Sequence, residues 1–291
     1  MSRCLVTGHK GYIGSRLYKR LKDLGHEVMG IDLKEEIPQD ILTELREDCD
    51  GQFRPCYYNF QPEYIFHMAC FPRVGYSIDH PVMTAENNIL AGTILLNFAR
   101  KVGSVKRVIY SSSSSIKGNG RGPESPYALQ KYMTELEAGL YAKLYGLDTV
   151  SLRYFNVYSH DQAKDGPYAT AISNWMDSLK NNVNPFITGN GQQRRDMVNV
   201  EDVVDVNIFC MNRTKKFYGA TYDVGTGQNI SLNEVRDLVL EQFPETKFDY
   251  MPPRPNEVLE TRANIEPLKK IGWTAKVNIF EGVWDCFAKI K

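Results

Sequence analysis

Short apolar runs alternate with longer amphipathic stretches along the first half of the chain. Residues 3–7 form a β-rich run, and residues 15–24 follow with leucines at helical spacing. Gly25 then ends the predicted helix, and residues 27–32 form a second predicted strand. This order of strand, turn, helix and strand places a helix N-terminus at the carboxyl edge of the first strand.

The alternation continues to about residue 154 and then loosens. Further strands are predicted at 64–68, 107–110, 149–154 and 221–224, and further helices at 82–102, 127–145, 169–180 and 232–242. Strands that alternate with helices predict an α/β fold, a Rossmann-type doubly wound parallel sheet. Prolines interrupt the later half, which predicts a smaller C-terminal substrate-binding lobe at the sheet's carboxyl edge. The expected domains are 1–157, to which 196–224 returns, and a lobe over 158–195 and 225–291.

Composition narrows the classes of partner. The 291 residues carry 35 basic and 35 acidic side chains, so net charge gives no reason to expect nucleic acid or an anionic membrane as a partner. The chain does not open on a basic and then apolar leader, and no apolar run approaches a membrane span, so we expect a cytoplasmic protein. Six scattered cysteines and five histidines lack metal-ligand spacing, which predicts reduced thiols and no metal site.

Three glycines follow the first strand directly, at Gly8, Gly11 and Gly14. The first allows a tight turn, the second lets the backbone approach a pyrophosphate, and the third lets the helix pack closely on the strand. The start of the helix, at Tyr12 and Ile13, then offers N–H groups and a positive dipole end to phosphates. A glycine triplet alone is often an ordinary turn, but its place between a first strand and a first helix favours a dinucleotide site.

The end of the second strand carries an acidic residue. Asp32 lies about 20 residues after the glycines, where a carboxylate bonds the ribose hydroxyls of adenosine. Because it would repel a 2′-phosphate, NAD is predicted in preference to NADP, although Lys34 could soften that preference. The alternative for Asp32 is a solvated turn residue. The domain over 1–157 is therefore predicted to bind NAD.

A tyrosine and a lysine stand four residues apart, downstream of a run of serines. A phenol with a pKa of about 10 is a poor base at neutral pH, but Lys131, one helical turn after Tyr127, favours the phenolate. A serine hydroxyl can share the substrate proton while nicotinamide takes hydride, which together oxidise an alcohol. The run at 111–115 could be a flexible linker, but it follows the apolar run 107–110 directly, so we interpret it as an active-site strand end.

Together these residues resemble the extended short-chain dehydrogenase/reductase family, in its nucleotide-sugar epimerase/dehydratase branch. The resemblance runs nearly end to end, and its segments are 8–14, 62–69, 88–93, 153–158, 189–203 and 254–258. It implies that Ser113 is the catalytic serine beside Tyr127 and Lys131. The sequence departs from the family in two shortened links, between Asp32 and Asp40 and between the serines and Tyr127, and Arg73 and Gly75 stand in exchanged positions.

The resemblance also assigns ligand contacts. For the cofactor it adds Asp40, Ile41, Ala69, Ser111 and Tyr154 to the glycine turn, Asp32, Tyr127 and Lys131. For the substrate it assigns Ser113, Ser114, Tyr127, Asn156, Arg195, Arg254, Glu257 and Thr261. Guanidinium groups suit the diphosphate because they bind phosphate in charge-assisted, often bidentate fashion, with surface ion pairs as the alternative for each arginine. A small residue at position 261 implies room for an N-acetyl group at C2 of the sugar.

The reaction is read from the residues after Ser113. Family dehydratases carry an Asp-Glu pair directly after the catalytic serine or threonine, and decarboxylases carry a glutamate nearby, whereas Ser114 and Ser115 follow here. The expectation is therefore NAD-dependent 4-epimerisation of a UDP-hexose or UDP-N-acetylhexosamine through a 4-keto intermediate. Two alternatives are a nucleotide-sugar reductase or dehydrogenase with net redox turnover and a catalytically silent NAD-binding sensor, against which the Ser113, Tyr127 and Lys131 set counts.

The predicted catalytic helix has a second, apolar side. Met133, Leu136, Leu140 and Leu144, here called the apolar stripe, recur at helical spacing roughly opposite Tyr127 and Lys131. One face must serve the site and the sheet, so the stripe predicts a homodimer, with intramolecular packing as the alternative.

Overall fold

The structure is a computed structural model that describes residues 1–32, 55–72, 74–162, 170–253 and 258–290. Four residues assigned to ligands, and one that departs from the family pattern, lie outside these ranges; they are Asp40, Ile41, Arg254, Glu257 and Arg73. Among the described residues, no helix combines the length and the apolar character needed to cross a membrane.

The described elements alternate between strands and helices through most of the chain. In chain order they are β1 (Arg3–Thr7), α1 (Tyr12–Asp23), β2 (Glu27–Ile31), α2 (Pro55–Phe60), β3 (Tyr64–His67), α3 (Val74–Asp79), α4 (Pro81–Ala85), a π-helical turn (Glu86–Leu90), α5 (Ala91–Val102), β4 (Arg107–Ser113), a 3₁₀ turn (Ser114–Lys117), α6 (Pro126–Tyr145), β5 (Thr149–Tyr154), β6 (Asn156–Tyr158), α7 (Ala171–Lys180), β7 (Phe186–Thr188), β8 (Arg194–Arg195), β9 (Met197–Asn199), α8 (Val200–Asn212), β10 (Ala220–Val224), β11 (Ile230–Ser231), α9 (Leu232–Gln242), β12 (Asp249–Met251), α10 (Glu266–Lys270) and α11 (Ile279–Ala288).

A six-stranded parallel sheet confirms the predicted α/β class. Its strand order is β10-β5-β4-β3-β1-β2. In the register Leu5 pairs with Met29 of β2 on one side and with Ile65 of β3 on the other. The strand order therefore reverses beside β1, and in such sheets ligands bind at the carboxyl ends of the strands near this reversal.

Strand β4 continues into the serine run. It ends at Ser113, and Ser114 begins the 3₁₀ turn, so the interpretation of the run as a strand end is confirmed. The first three serines, Ser111 to Ser113, belong to β4, and Ser111 and Ser112 are buried.

The predicted helix over 82–102 is interrupted. A π-helical turn at Glu86–Leu90 separates α4 from α5 and turns two neighbouring amides, Asn87 and Asn88, into the protein. The Asn88 amide accepts the N–H of Phe71 at 2.8 Å and donates to Oε1 of Gln130 at 2.8 Å. Buried amides need such partners, so the altered turn stabilises the segment after β3 against α6.

Helix α6 has well-defined ends. Ser125 caps it by accepting the N–H of Ala128 at 3.2 Å, Pro126 occupies its first position, and Gly146 ends it in the left-handed conformation. Tyr127 and Lys131 lie on its buried face, whereas the side chains of the apolar stripe are 44–59% exposed.

The chain divides into two compact units. The first comprises 1–116, 122–153 and 204–222, and the second comprises 117–121, 154–203 and 223–291. The core of the first lies between the sheet and α5, with Leu5, Phe98 and Val108 almost completely buried. The core of the second lies among α7, α9 and α11 and includes Trp175 and Ile279. The domain boundaries expected from the sequence stay a prediction.

Candidate active site

The glycine turn in the first unit is built from close backbone contacts. Gly8 has a φ of +70°, and its N–H donates to the Ile31 carbonyl at 2.7 Å. A Cβ added to Gly8 would lie 2.8 Å from the backbone nitrogen of Ala69, and one added to Gly14 would lie 2.1 Å from the Gly8 carbonyl oxygen. Side chains are therefore excluded on steric grounds, and the turn presents bare backbone.

The start of α1 suits an anionic ligand. Gly11 is the N-cap and carries no side chain, and Tyr12 and Ile13 follow it without an acidic residue in the first turn. The first N–H groups of a helix and its positive dipole end attract phosphate. At the end of β2, the Asp32 carboxylate accepts the N–H of Lys10 at 2.8 Å, which fixes an acidic group beside the turn. The bare turn, the helix end and the carboxylate fit a dinucleotide with unmodified ribose hydroxyls.

A buried polar group that the sequence patterns do not single out joins β1 to β3. The Thr7 hydroxyl lies 2.8 Å from Nδ1 of His67 and accepts the N–H of Ala69 at 3.1 Å. Burial, assisted by the positive charge of Lys131, lowers the pKa of His67 to about 3. His67 is therefore neutral at physiological pH. The only signal in the sequence was a polar residue at the end of each of two apolar strands.

The tyrosine and lysine of α6 lie against the end of β4. Lys131 is 2% exposed, and its Nζ donates to the Ser111 carbonyl at 2.6 Å and lies 5.0 Å from the centroid of the Tyr110 ring. The backbone N–H of Tyr127 donates to Oγ of Ser77 at 3.0 Å, which holds the first turn of α6 to α3. The buried ammonium group thus has a carbonyl partner and an aromatic face.

Ser113 lies beside the phenol of Tyr127 and favours its ionised form. Its Oγ accepts the N–H of Ser115 at 3.2 Å. Burial raises the pKa of Tyr127 well above its usual value, while the charge of Lys131 and the Ser113 hydrogen bond act in the opposite direction. These two groups are therefore the local features that favour a phenolate in a site that otherwise opposes it.

A second ionic group lies one turn further along α6. The buried Glu135 carboxylate accepts the Ser112 hydroxyl at 2.7 Å and forms a bidentate pair with Arg153 of β5, with Nε at 3.0 Å and Nη2 at 2.5 Å. The candidate residues chosen from the sequence do not include Glu135 or Ser112. The sequence feature that could have indicated Glu135 is its helical spacing from Tyr127 and Lys131.

The second unit brings three of the residues assigned to the substrate to one place. Thr261 is joined to β8 and to the residue that follows it by two backbone bonds: its N–H donates to the Arg194 carbonyl at 3.1 Å, and its carbonyl accepts the N–H of Asp196 at 3.0 Å. Oγ1 of Thr261 accepts Nδ2 of Asn156 at 3.3 Å and the Asp196 N–H at 3.2 Å. Asn156 Nδ2 also donates to the Asp196 carbonyl at 2.7 Å. Arg195 lies between the two residues that bond Thr261.

The neighbouring arginines of β8 have different surroundings. The Arg194 guanidinium donates to Oδ1 of Asn229 at 2.7 Å and pairs with Glu234 at 2.8 Å. Nη1 of the half-buried Arg195 donates to the Arg194 carbonyl at 3.0 Å. The remaining assigned residues that the structure describes are Tyr154, buried at the last position of β5, and Ser114, half-buried at the start of the 3₁₀ turn.

The comparison with known proteins decides the family. The sequence profile of the NAD dependent epimerase/dehydratase family matches residues 4–225. The chain belongs to this family. The predicted resemblance is confirmed, and so is NAD as the cofactor, because this family is NAD-dependent and solved structures similar to the chain contain NAD.

Similar proteins match nearly the whole chain. A putative UDP-glucose 4-epimerase of Methanocaldococcus jannaschii is 30% identical, over 96% of this chain and 95% of its own length. The structure of a UDP-glucose 4-epimerase with UDP-glucose from Thermotoga maritima matches with a TM-score of 0.87 and 28% identity, over 99% of both chains. A UDP-N-acetylglucosamine 4-epimerase from Methanobrevibacter ruminantium, in complex with UDP-N-acetylmuramic acid, matches with a TM-score of 0.85 and 26% identity, over 99% of this chain and 97% of its own.

Proposed function

We propose that the chain inverts the configuration at C4 of a UDP-sugar by reversible oxidation through a 4-keto intermediate. The observation that carries this proposal is the placement of Tyr127 and Lys131 against the end of β4, where Lys131 bonds the Ser111 carbonyl, with no carboxylate at the two positions after Ser113, Ser114 and Ser115. Elimination of water across C5 and C6 needs an acid and a base beside the sugar, which dehydratases of the family place after the serine. Proton transfer at a single hydroxyl needs only Tyr127 together with Ser113 and Lys131.

Tyr127 acts as the base in this proposal. Its phenolate takes the proton of the C4 hydroxyl while Ser113 orients the same oxygen, and the Lys131 charge keeps the phenolate accessible. Bound NAD supplies the hydride acceptor that alcohol oxidation needs and is unchanged over a full cycle. Once the keto sugar has presented its other face, Tyr127 returns the proton to the C4 oxygen, and the inverted alcohol leaves.

The second unit supplies residues for the nucleotide in this proposal. Asn156 and Arg195, with Arg254 and Glu257, are proposed to hold the diphosphate and the nucleoside ribose. Support comes from Arg195, whose guanidinium can bind phosphate, and from the bond that ties Asn156 to Thr261. The two matched solved epimerases, which carry UDP-linked ligands, favour uridine as the base.

UDP-sugars with an N-acetyl group at C2 are among the proposed substrates. Thr261 is short, and the two bonds to its Oγ1 are both accepted, so its hydroxyl hydrogen can donate to an amide carbonyl. The similar structure of a UDP-N-acetylglucosamine 4-epimerase supports this choice. We therefore expect UDP-N-acetylhexosamines to be turned over as well as, or better than, UDP-glucose and UDP-galactose.

The test is a proton NMR assay of purified protein with NAD and a panel of UDP-, GDP- and dTDP-sugars. The proposal expects interconversion of C4 epimers with no accumulation of reduced nicotinamide by absorbance. Accumulation of reduced nicotinamide would favour the dehydrogenase alternative, and loss of water or carbon dioxide would overturn the proposal. Tyr127→Phe should abolish turnover with NAD still bound, while Tyr145→Phe, at the exposed end of the same helix, is the matched control. Activity of Tyr127→Phe within a few-fold of wild type would refute the assigned base.

A further inference from the structure

Glu135 continues a column of functional side chains on α6. Tyr127, Lys131 and Glu135 are spaced by four residues, so they lie above one another on one face of the helix. Glu135 is 5% exposed and bonds groups of two adjacent strands, Ser112 on β4 and Arg153 on β5. One carboxylate therefore ties α6 to the carboxyl ends of both strands.

The hydrogen bond between Glu135 and Ser112 lies in the middle of the serine segment 111–113 at the end of β4. Ser112 stands between Ser111, whose carbonyl accepts from Lys131, and Ser113, which favours the ionised form of Tyr127. Three consecutive serines of β4 are thus matched to three residues of α6. A shift of the strand end would alter the Ser113–Tyr127 and Ser111–Lys131 contacts together, and the Ser112–Glu135 bond opposes such a shift.

The charge of this carboxylate has to be cancelled. Without a partner, a buried negative group one turn from Lys131 would draw the ammonium toward itself and oppose a phenolate further along the helix. Its influence reaches the neighbouring phenol: burial raises the pKa of Tyr110 well above its usual value, and the Glu135 charge adds to that effect. The bidentate Arg153 guanidinium supplies the opposite charge at hydrogen-bonding distance.

We propose that Glu135 and Arg153 are positioning residues of the active site: Glu135 fixes the serine strand on α6, and Arg153 cancels its charge so that Lys131 acts on Tyr127. This inference rests on the proposed role of Tyr127 as the base. Neither residue touches the reacting atoms in this proposal; both act through Ser112 and Lys131.

Other ionisable groups face the same column. Cys70, which follows β3, and Tyr110 of β4 both oppose ionisation of Tyr127. His67 of β3 faces Lys131 and is neutral, so it adds no charge. None of these groups is altered in the variants below.

The test uses two single variants of the NAD-loaded enzyme, one that removes the positive charge of Arg153 and one that removes the negative charge of Glu135. Eight residues of helix span about 12 Å, and one charge at that distance shifts a titration by about one pH unit at an effective dielectric constant of about 20. Arg153→Met leaves the carboxylate uncompensated, so the acidic limb of kcat should move up by about one pH unit. Glu135→Gln removes the negative charge beside the guanidinium, so the limb should move down by a similar amount. The double variant should return it close to the wild-type position.

Two further measurements separate this inference from a purely structural role. The pKa of Tyr127 can be followed by tyrosinate absorbance, as the difference between each variant and the same variant with Tyr127→Phe added. This pKa should rise in Arg153→Met and fall in Glu135→Gln, as the acidic limb does. Ser112→Ala should lower kcat severalfold at constant pH profile and substrate KM, since it removes the bond and no charge. If Arg153→Met does not fold, two expectations remain testable. The acidic limb of kcat should move down in Glu135→Gln and return close to its wild-type position in the double variant.

The outcomes distinguish the two proposals. The positioning role alone would be overturned by two results together. The wild type would epimerise the sugar and Tyr127→Phe would not, but the acidic limb of kcat would stay in place, or move in the same direction, in both single variants. Retention of epimerisation by Tyr127→Phe would instead remove the assigned base, whatever the limbs do.

Discussion

Lys131→Met measures how much of the basicity of Tyr127 comes from one buried charge. The ammonium and the phenol lie one helical turn apart, about 6 Å, and two unit charges at that distance interact by about 3 kcal/mol at an effective dielectric constant of about 20. Burial already raises the pKa of Tyr127, and Lys131 is the largest influence that lowers it. Removing the ammonium should therefore raise that pKa further, by about two units, because about 1.4 kcal/mol corresponds to each unit.

The consequence is a pH-dependent loss of turnover. If the phenolate is the active form, kcat below the acidic limb should fall by about 100-fold and the limb should move up by about two pH units. The Ser111 carbonyl, which accepts from Lys131 at 2.6 Å, also loses its partner. That loss is expected to cost stability by about 1–3 kcal/mol, offset in part because a buried charge is removed with it.

The assay is kcat and KM for the UDP-sugar between about pH 6 and pH 11, a range that includes the ordinary tyrosine pKa of about 10. Thermal unfolding of each variant separates lost stability from lost chemistry. Lys143→Met removes a lysine from the exposed surface of the same helix and should leave the profile unchanged. A Lys131→Met profile that superimposes on the wild type, with turnover reduced less than about threefold, would contradict the electrostatic role of this lysine.

Three further predictions concern the sugar, stability and assembly. Thr261→Tyr should selectively lose UDP-N-acetylglucosamine turnover while UDP-glucose turnover persists, and equal loss on both, or no wild-type turnover of the N-acetylated sugar, would refute the assigned pocket. His67 has a folded pKa of about 3 against 6.5 in the unfolded chain, so the unfolded state alone binds this proton between those values. Stability should therefore fall by about 1.4 kcal/mol per pH unit below about pH 6.5, and His67→Asn should show a shallower loss in urea unfolding across that range. The exposed apolar stripe of α6 predicts a homodimer by light scattering, and a monomeric mass at micromolar concentration would count against it.

Local patterns predict the parts of this fold whose geometry is set within a few residues. The glycine turn follows from residue types that tolerate close backbone contact, and Tyr127 and Lys131 share a face because helical spacing puts them there. The helix over Val200–Asn212 is not predicted, since its valines favour strands locally and buried packing decides the outcome.

Contacts between distant segments could not be read from local patterns. Thr7 and His67 are 60 residues apart, and Asn156 and Thr261 are 105 apart. Each pair is brought together by strand order or by pairing of short segments, which a single sequence does not fix. Glu135 and Arg153 are closer, at 18 residues, but nothing in helical or strand periodicity indicates that a helix carboxylate will bond an arginine on the following strand.

The way Thr261 is held has a consequence for how this enzyme can evolve. Two backbone bonds to Arg194 and Asp196 fix the position of residue 261, and both donors to its hydroxyl keep a second acceptor when that hydroxyl is lost. Its side chain can therefore be exchanged without leaving a buried donor unpaired, which is the usual source of large stability losses. If Thr261 lines the sugar pocket as proposed, single substitutions at this position could change which sugars are accepted while the stability of the fold is kept.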